Sequence, residues 1–199
     1  MDIRVNDLCK SFGDKKVLDH LSLTFPEGKV SCIMGPSGCG KTTLLNILMG
    51  FLEADSGSVE AMPAEKSAVF QEDRLFEEFS ALTNVMATAA KTVTAAEAGE
   101  HLSRVGLGDS RNVRARELSG GMRRRVALVR AMLAESKVLF LDEPFKGLDE
   151  ETKKTILEYV KEAVAGKTVI FVTHDDEEAS ALAEQLIRLE PIEAAAVES

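Results

Sequence analysis

The stretch from Gly35 to Leu45, GPSGCGKTTLL, restricts this chain more than any other part of it. Gly35, Gly40, Lys41 and Thr42 match G-x-x-x-x-G-K-[ST] in full, between an apolar run that reads as a strand (VSCIM) and a run that reads as a helix (TTLLNILM), which Gly50 can end. Glycines let the backbone curl until successive N–H groups point inward, and the helix N-terminus adds partial positive charge. Such a loop holds phosphate. Lys41 is placed to reach β- and γ-phosphates and the Thr42 hydroxyl to ligate Mg²⁺, so the expected anion is a nucleoside triphosphate. Pro36, Ser37, Gly38 and Thr43 complete the loop around it. Cys39 fills a small-residue position, and its place beside a helix N-terminus predicts a thiol that reacts with thiol reagents and is shielded by nucleotide.

Other short apolar runs recur along the chain. KVSCIM (29–34), SAVF (67–70), KVLFL (137–141) and KTVIFV (167–172) read as strands buried on both faces, and the last two alternate with helical stretches. That pattern predicts an α/β fold with a parallel sheet. Earlier, IRVNDLCKSF and LSLTF read as paired antiparallel strands. From Leu82 to Arg130 the pattern turns helical, with Thr94 and Glu97 as a capping box and Gly106 as a helix end. Residues 72–117 are expected to form a helical lobe inserted into the core, and the tail EPIEAAAVES to fray.

A formal net charge of −9 argues against wrapping nucleic acid through general basicity, so an anionic ligand needs a local site. Eight arginines lie between Arg104 and Arg130, against only Asp109 and Glu117, but no aromatic residues interleave with them, and a solvated basic face is expected. Three cysteines without a C-x-x-C pair point to neither a disulfide framework nor a zinc site. No run of about 18 apolar residues and no signal-peptide pattern is present, which favours a cytoplasmic chain reaching any membrane through a partner.

VLFLDEP delivers Asp142 and Glu143 at the C-terminal end of a buried strand, where open α/β sheets bind ligands. Asp142 is expected to hold Mg²⁺ and Glu143 to accept a proton from the attacking water. Adjacent residues on a strand point to opposite sides, which would separate the two roles.

LSGGMRRRVALVRAML, from Leu118, is more selective. Ser119, Gly120 and Gly121 open a helix whose hydroxyl and bare N–H groups make a second phosphate site without a lysine. This stretch resembles the signature of ABC-type ATPases, and the order of motifs agrees. Gly35–Thr43 resembles that family's Walker A and 138–143 its Walker B. Gln71 in AVFQED matches its Q-loop glutamine, Asp149 in GLD its D-loop, His174 in FVTHD its switch histidine, and Phe12 its adenine-stacking aromatic. The resemblance spans about residues 3–189. It implies a single ABC ATPase domain: a P-loop NTPase core with a mainly parallel sheet and an N-terminal antiparallel β lobe (1–71 and 118–189), the helical lobe (72–117) and a tail (190–199). It implies also a head-to-tail dimer with two ATP molecules sandwiched inside. Ser119, Gly120 and Gly121 would contact the γ-phosphate held by the opposite subunit, His174 would order the attacking water, and Gln71 would touch Mg²⁺. Three departures stand out: Met122 for glutamine, Lys146–Gly147 before the D-loop, and only 29 residues between Lys41 and Gln71, which implies a trimmed β lobe.

The segment VFQEDRLFEEFSALTNV resembles the nitrate, sulfonate and taurine importer ATPases. The implied job is the energy-coupling subunit of a membrane importer, with permease subunits and a substrate-binding protein as partners and no nucleic acid. Leu75, Phe76 and Phe79 would either line the groove where the permease docks or pack inside the helical lobe. The competing classes are an ABC ATPase of a non-transport complex, such as cell division or lipoprotein release, and a soluble ABC protein of DNA or the ribosome.

Overall fold

The computed structural model describes residues 1–192. Two sheets organise it. A three-stranded antiparallel sheet, in the order β2-β1-β4, is built from β1 (Ile3–Phe12), β2 (Lys15–Phe25) and β4 (Ser56–Glu60). A five-stranded parallel sheet contains β3 (Val30–Met34), β5 (Lys66–Val69), β6 (Val138–Asp142), β7 (Thr168–Val172) and β8 (Gln185–Arg188), ordered β5-β6-β7-β3-β8. All residues of β3, β6 and β7 are buried, as expected of mostly apolar runs that form strands covered on both faces. β4 and β8 have no such run. Both are short and largely exposed, and they pair because neighbouring edges are open to them.

Helix α1 (Lys41–Met49) follows β3 directly and ends at Gly50, whose left-handed φ of 84° lets its N–H reach the Asn46 and Ile47 carbonyls. Helices α2 (Ala81–Met86) and α3 (Ala95–Arg104) lie in the segment expected to be helical, with α2 stopping well before Lys91. The Thr94–Glu97 capping box is formed on both sides, and Gly106 follows the helix end with φ 73°. Helix α4 (Gly120–Leu133) carries the arginine-rich stretch, and α5 (Glu150–Ala163) and α6 (Asp176–Leu182) fill the later crossovers. One cluster of buried apolar side chains runs from Val85 and Leu102 through Val126 and Val129 to Leu139 and Phe171, so α2 and α3 rest on the parallel sheet through α4. A second cluster joins Ile3, Leu8 and Phe25 of the antiparallel sheet to Leu44, Leu48 and Phe140. The expected tail reaches only Ile192 here; residues 193–199 lie outside the described ones. No helix among the described residues is long and apolar enough to cross a membrane.

Candidate active site

The C-terminal ends of β3, β6 and β7 meet at one rim, and the loop after β3 shapes it. Gly40 adopts φ 97°, and a Cβ there would sit 2.9 Å from both Val17 O and Leu18 Cδ2, so only glycine fits. Lys41 Nζ donates to the carbonyls of Gly35 (2.6 Å) and Pro36 (2.9 Å), holding the lysine over the loop it follows. The thiol of Cys39, expected to react, is buried against the second core cluster with its Sγ 3.8 Å from Lys41 Nζ, which shuts it off from reagents in solution.

A cavity of about 440 Å³ opens above this loop. Ser37, Gly38, Gly40, Lys41, Thr42 and Thr43 line one side; Gln71, Asp142 and Glu143 line another; Phe12 stands at the mouth, half exposed. Gly35 and Pro36 shape the loop from behind. Lys15, Val17 and Val172 also line the cavity and were not anticipated. Lys15 was legible: the two-residue turn Gly13–Asp14 sets it directly opposite Phe12.

The two acids do not point apart. Asp142 is the last residue of β6, but Glu143 leaves the strand with φ 47° and its N–H bonds Val172 O at 2.9 Å. This left-handed step, costly for a non-glycine residue, turns the glutamate into the same cavity as the aspartate. Burial, then the neighbouring Glu143 charge, pushes the Asp142 carboxyl above its ordinary range. Its Oδ1 is buried with no hydrogen-bond partner. An orphaned carboxylate oxygen facing a cavity shared with the Thr42 hydroxyl and the Gln71 amide fits a hard divalent cation with oxygen ligands. Glu143 is also partly desolvated, yet Lys146 Nζ, 3.2 Å from Oε2, and His174 Nδ1, 3.3 Å from Oε1, outweigh that and hold its pKa below the usual value. His174 follows β7 at the rim and is 71% exposed. Behind it, Asp175 caps α6 and, with Glu178, pairs with Lys153.

Of the eight arginines expected to form a solvated face, Arg104, Arg111, Arg114 and Arg116 are exposed, whereas the four on α4 are partly or fully buried. Arg124, with a side chain only 4% exposed, donates through Nη1 to Phe70 O and to Asp73 Oδ1 (3.1 Å), and through Nη2 to Asp142 O (3.3 Å) and Glu143 O (2.7 Å). Arg130 donates to the carbonyls of Asp73 (3.0 Å) and Arg74 (2.8 Å), and Arg125 to that of Val105 (2.9 Å). Arg123 pairs with Glu77. Arg124 therefore ties the backbone beside Gln71 to the backbone of both acids. Composition hid this, because the acceptors are carbonyls distant in sequence.

Ser119 caps α4, accepting from Met122 N–H at 3.3 Å. Gly120 and Gly121 line a separate depression of about 210 Å³ with Gln71, Asp73, Arg124, Lys146 and Gly147. None of Ser119, Gly120 and Gly121 lines the first cavity; Gln71 lines both. Asp149 lines neither and caps α5 by accepting from Thr152 N–H at 2.9 Å. Of the proposed docking residues, Leu75 is buried in the core while Phe76 and Phe79 pack edge-on and stay half exposed. A different apolar groove, about 270 Å³, runs between Phe51 and Phe70 beside Met49 and Ala131, with Phe51 64% exposed.

Residues 18–146 match the family model described as ABC transporter. The chain is 40% identical over 191 residues to an aliphatic sulfonates import ATP-binding protein, SsuB 1, of Nocardia farcinica, covering 94% of this chain and 78% of that one. It is 36% identical to the taurine import ATP-binding protein TauB of Escherichia coli O157:H7 (95% and 80%). It is also 38% identical to the sulfate/thiosulfate import ATP-binding protein CysA of Burkholderia mallei, where it spans 95% of itself but 60% of the relative's length. The fold matches the dimeric structure of MJ0796, a bacterial ABC transporter cassette, with a TM-score of 0.82 at 28% identity over 96% of this chain and 97% of that one. With its phosphate loop, paired acids and second helix end arranged as described, this chain belongs to the ABC transporter family.

Proposed function

We propose that this chain hydrolyses ATP as the energy-coupling subunit of an ABC importer, working as a head-to-tail pair. One observation carries the reading: the phosphate loop, Gln71, Asp142 and Glu143 line one cavity, whereas Ser119, Gly120 and Gly121 present their N–H groups elsewhere. A helix end built for phosphate has its use on a second copy's nucleotide. Ser37, Gly38, Gly40, Lys41 and Thr43 hold the triphosphate, with Gly35, Pro36 and Cys39 shaping the loop and Phe12 stacking on adenine at the mouth. Thr42, Gln71 and Asp142 would hold Mg²⁺, which neutralises charge on the β- and γ-phosphates. Glu143 orients the attacking water and accepts its proton, and His174 steadies that carboxylate and the water. Asp149, outside the cavity, acts at the interface between copies.

The names of the relatives support a small sulfur oxyanion, such as a sulfonate or sulfate, as the cargo of the complex. The exposed Phe51–Phe70 groove supports docking on permease subunits at the cytoplasmic face of the membrane, with a substrate-binding protein on the far side. Two measurements test this. Affinity purification from membranes should recover a polytopic permease; recovery of ribosomes or DNA instead would overturn the transport role. Ser119→Arg should abolish ATP turnover while leaving ATP binding to the isolated chain intact; loss of binding in the monomer would contradict action across the pair.

A further inference from the structure

The antiparallel sheet assembles a group of side chains with mixed metal-binding chemistry, away from the nucleotide cavity. On β1, Cys9 lies between Leu8, which faces Leu21, and Lys10, which faces Leu18, so one residue of β1 stands against Asp19 and His20 of β2. A bulge of the opposite sense adjoins it: Asn6 and Asp7 stand against Ser22 alone, between the Val5–Leu23 and Leu8–Leu21 pairs. The extra residues take left-handed conformations, φ 51° at Asp7 and 47° at His20. Gly57 of β4 makes room for this backbone, since a Cβ there would sit 2.6 Å from Asn6 O. One donor atom from each of Cys9, Asp19 and His20 then lies within 4.8 Å of the others.

We propose that Cys9, Asp19 and His20 form a binding site for a divalent transition metal of the Zn²⁺ type. Thiolate, carboxylate and imidazole are the donors that zinc takes, and three of them leave a fourth position for water or another ligand. Asp7 orients the ring: its Oδ1 lies 2.8 Å from His20 Nδ1, which leaves Nε2 for the metal, the outer carboxylate–histidine arrangement of metal sites. The His20 backbone N–H donates to Cys9 Sγ at 3.3 Å, which fixes the sulfur beside the histidine. Asp19 Oδ1 is also 3.0 Å from Lys16 Nζ and 3.7 Å from His20 Nε2. An exposed lysine pair contributes little and gives way to a metal. Tetrahedral donors at zinc distances stand about 3.3–3.7 Å apart, so the site closes with side-chain movements on the order of 1 Å. Sequence spacing alone pointed to no zinc site, because the ligands come from two strands brought into this register by the paired bulges.

The test uses the full reduced chain without nucleotide or Mg²⁺. Zn²⁺ titrated against a chromophoric chelator should bind at one per chain, and Co²⁺ should give a sulfur-to-metal charge-transfer band. Cys9→Ser should abolish that band and His20→Ala should weaken Zn²⁺ binding at least about tenfold, while Asp7→Asn weakens it about 10–100-fold through loss of the outer carboxylate. Should Cys9→Ser fail to fold, His20→Gln and Asp19→Asn, on the exposed bulge, carry the same comparison. Absence of Zn²⁺ binding by the wild-type chain, or stoichiometry and affinity unchanged in the folded variants, overturns the proposal.

Discussion

Replacing Arg124 by methionine probes the joint on which the proposed catalytic rim rests. Methionine keeps most of the side-chain length but removes both Nη donors, leaving the carbonyls of Phe70, Asp142 and Glu143 and the carboxylate of Asp73 without their partner. Asp73 is itself half-buried, and burial already pushes its carboxyl above the usual range against the pull of Arg124. Breaking one side of a buried charge pair costs about 3–5 kcal/mol, because the remaining charge stays desolvated. In a chain of this size that corresponds to a fall in Tm of roughly 6–20 °C, at about 2–4 °C per kcal/mol. Urea and thermal unfolding followed by circular dichroism measure it. A double-mutant cycle with Asp73→Asn should show coupling of about 0.5–3 kcal/mol. Freed from the guanidinium, the backbone at Glu143 also loses one restraint on its left-handed step, so kcat for ATP should fall further than ATP affinity. A Tm within about 2 °C of wild type, with kcat unchanged, would refute the reasoning.

Glu143→Gln should bind ATP yet turn it over at a small fraction of the wild-type rate and accumulate a nucleotide-trapped dimer on size-exclusion chromatography; undiminished turnover removes Glu143 from its role. Gly40→Ala places a methyl 2.9 Å from Val17 O at a φ of 97°, so ATP binding should weaken by at least an order of magnitude and stability fall by about 1–3 kcal/mol, read by calorimetry and urea unfolding. Asp175 is held below its ordinary value of 3.8 by its hydrogen bond to Lys153, so its stabilising contribution is complete above about pH 4 and lost as pH falls through the lower folded value. Asp175→Asn should therefore lower stability at pH 7 and flatten its dependence on acid; an unchanged acid-unfolding curve would contradict this. Burial pushes the Cys32 thiol up to about 12, so it should resist alkylation until the chain unfolds.

Much of the rim was legible locally. Runs of mostly apolar residues located β3, β6 and β7, because strands covered on both faces are largely apolar along their whole length. The phosphate loop, the helix starts at Ser119 and Thr94 and the end at Gly50 are short-range signals whose physics lies within a few residues. β4 and β8 escaped because edge strands form from pairing partners more than from their own composition.

The amino-acid order by itself therefore determined the α/β class, the phosphate loop with Lys41 and Thr42, and the delivery of Asp142 and Glu143 to a strand end. Tertiary structure alone decided where those parts face. It turned Glu143 beside Asp142 through a left-handed step, hid Cys39, buried Arg124 among carbonyls up to 54 residues away, and brought Cys9 to Asp19 and His20 across two bulges. Periodicity and capping depend on neighbours in the chain, whereas side-chain direction at a bulge and the partners of a buried charge depend on which backbone groups the packed sheets leave within reach.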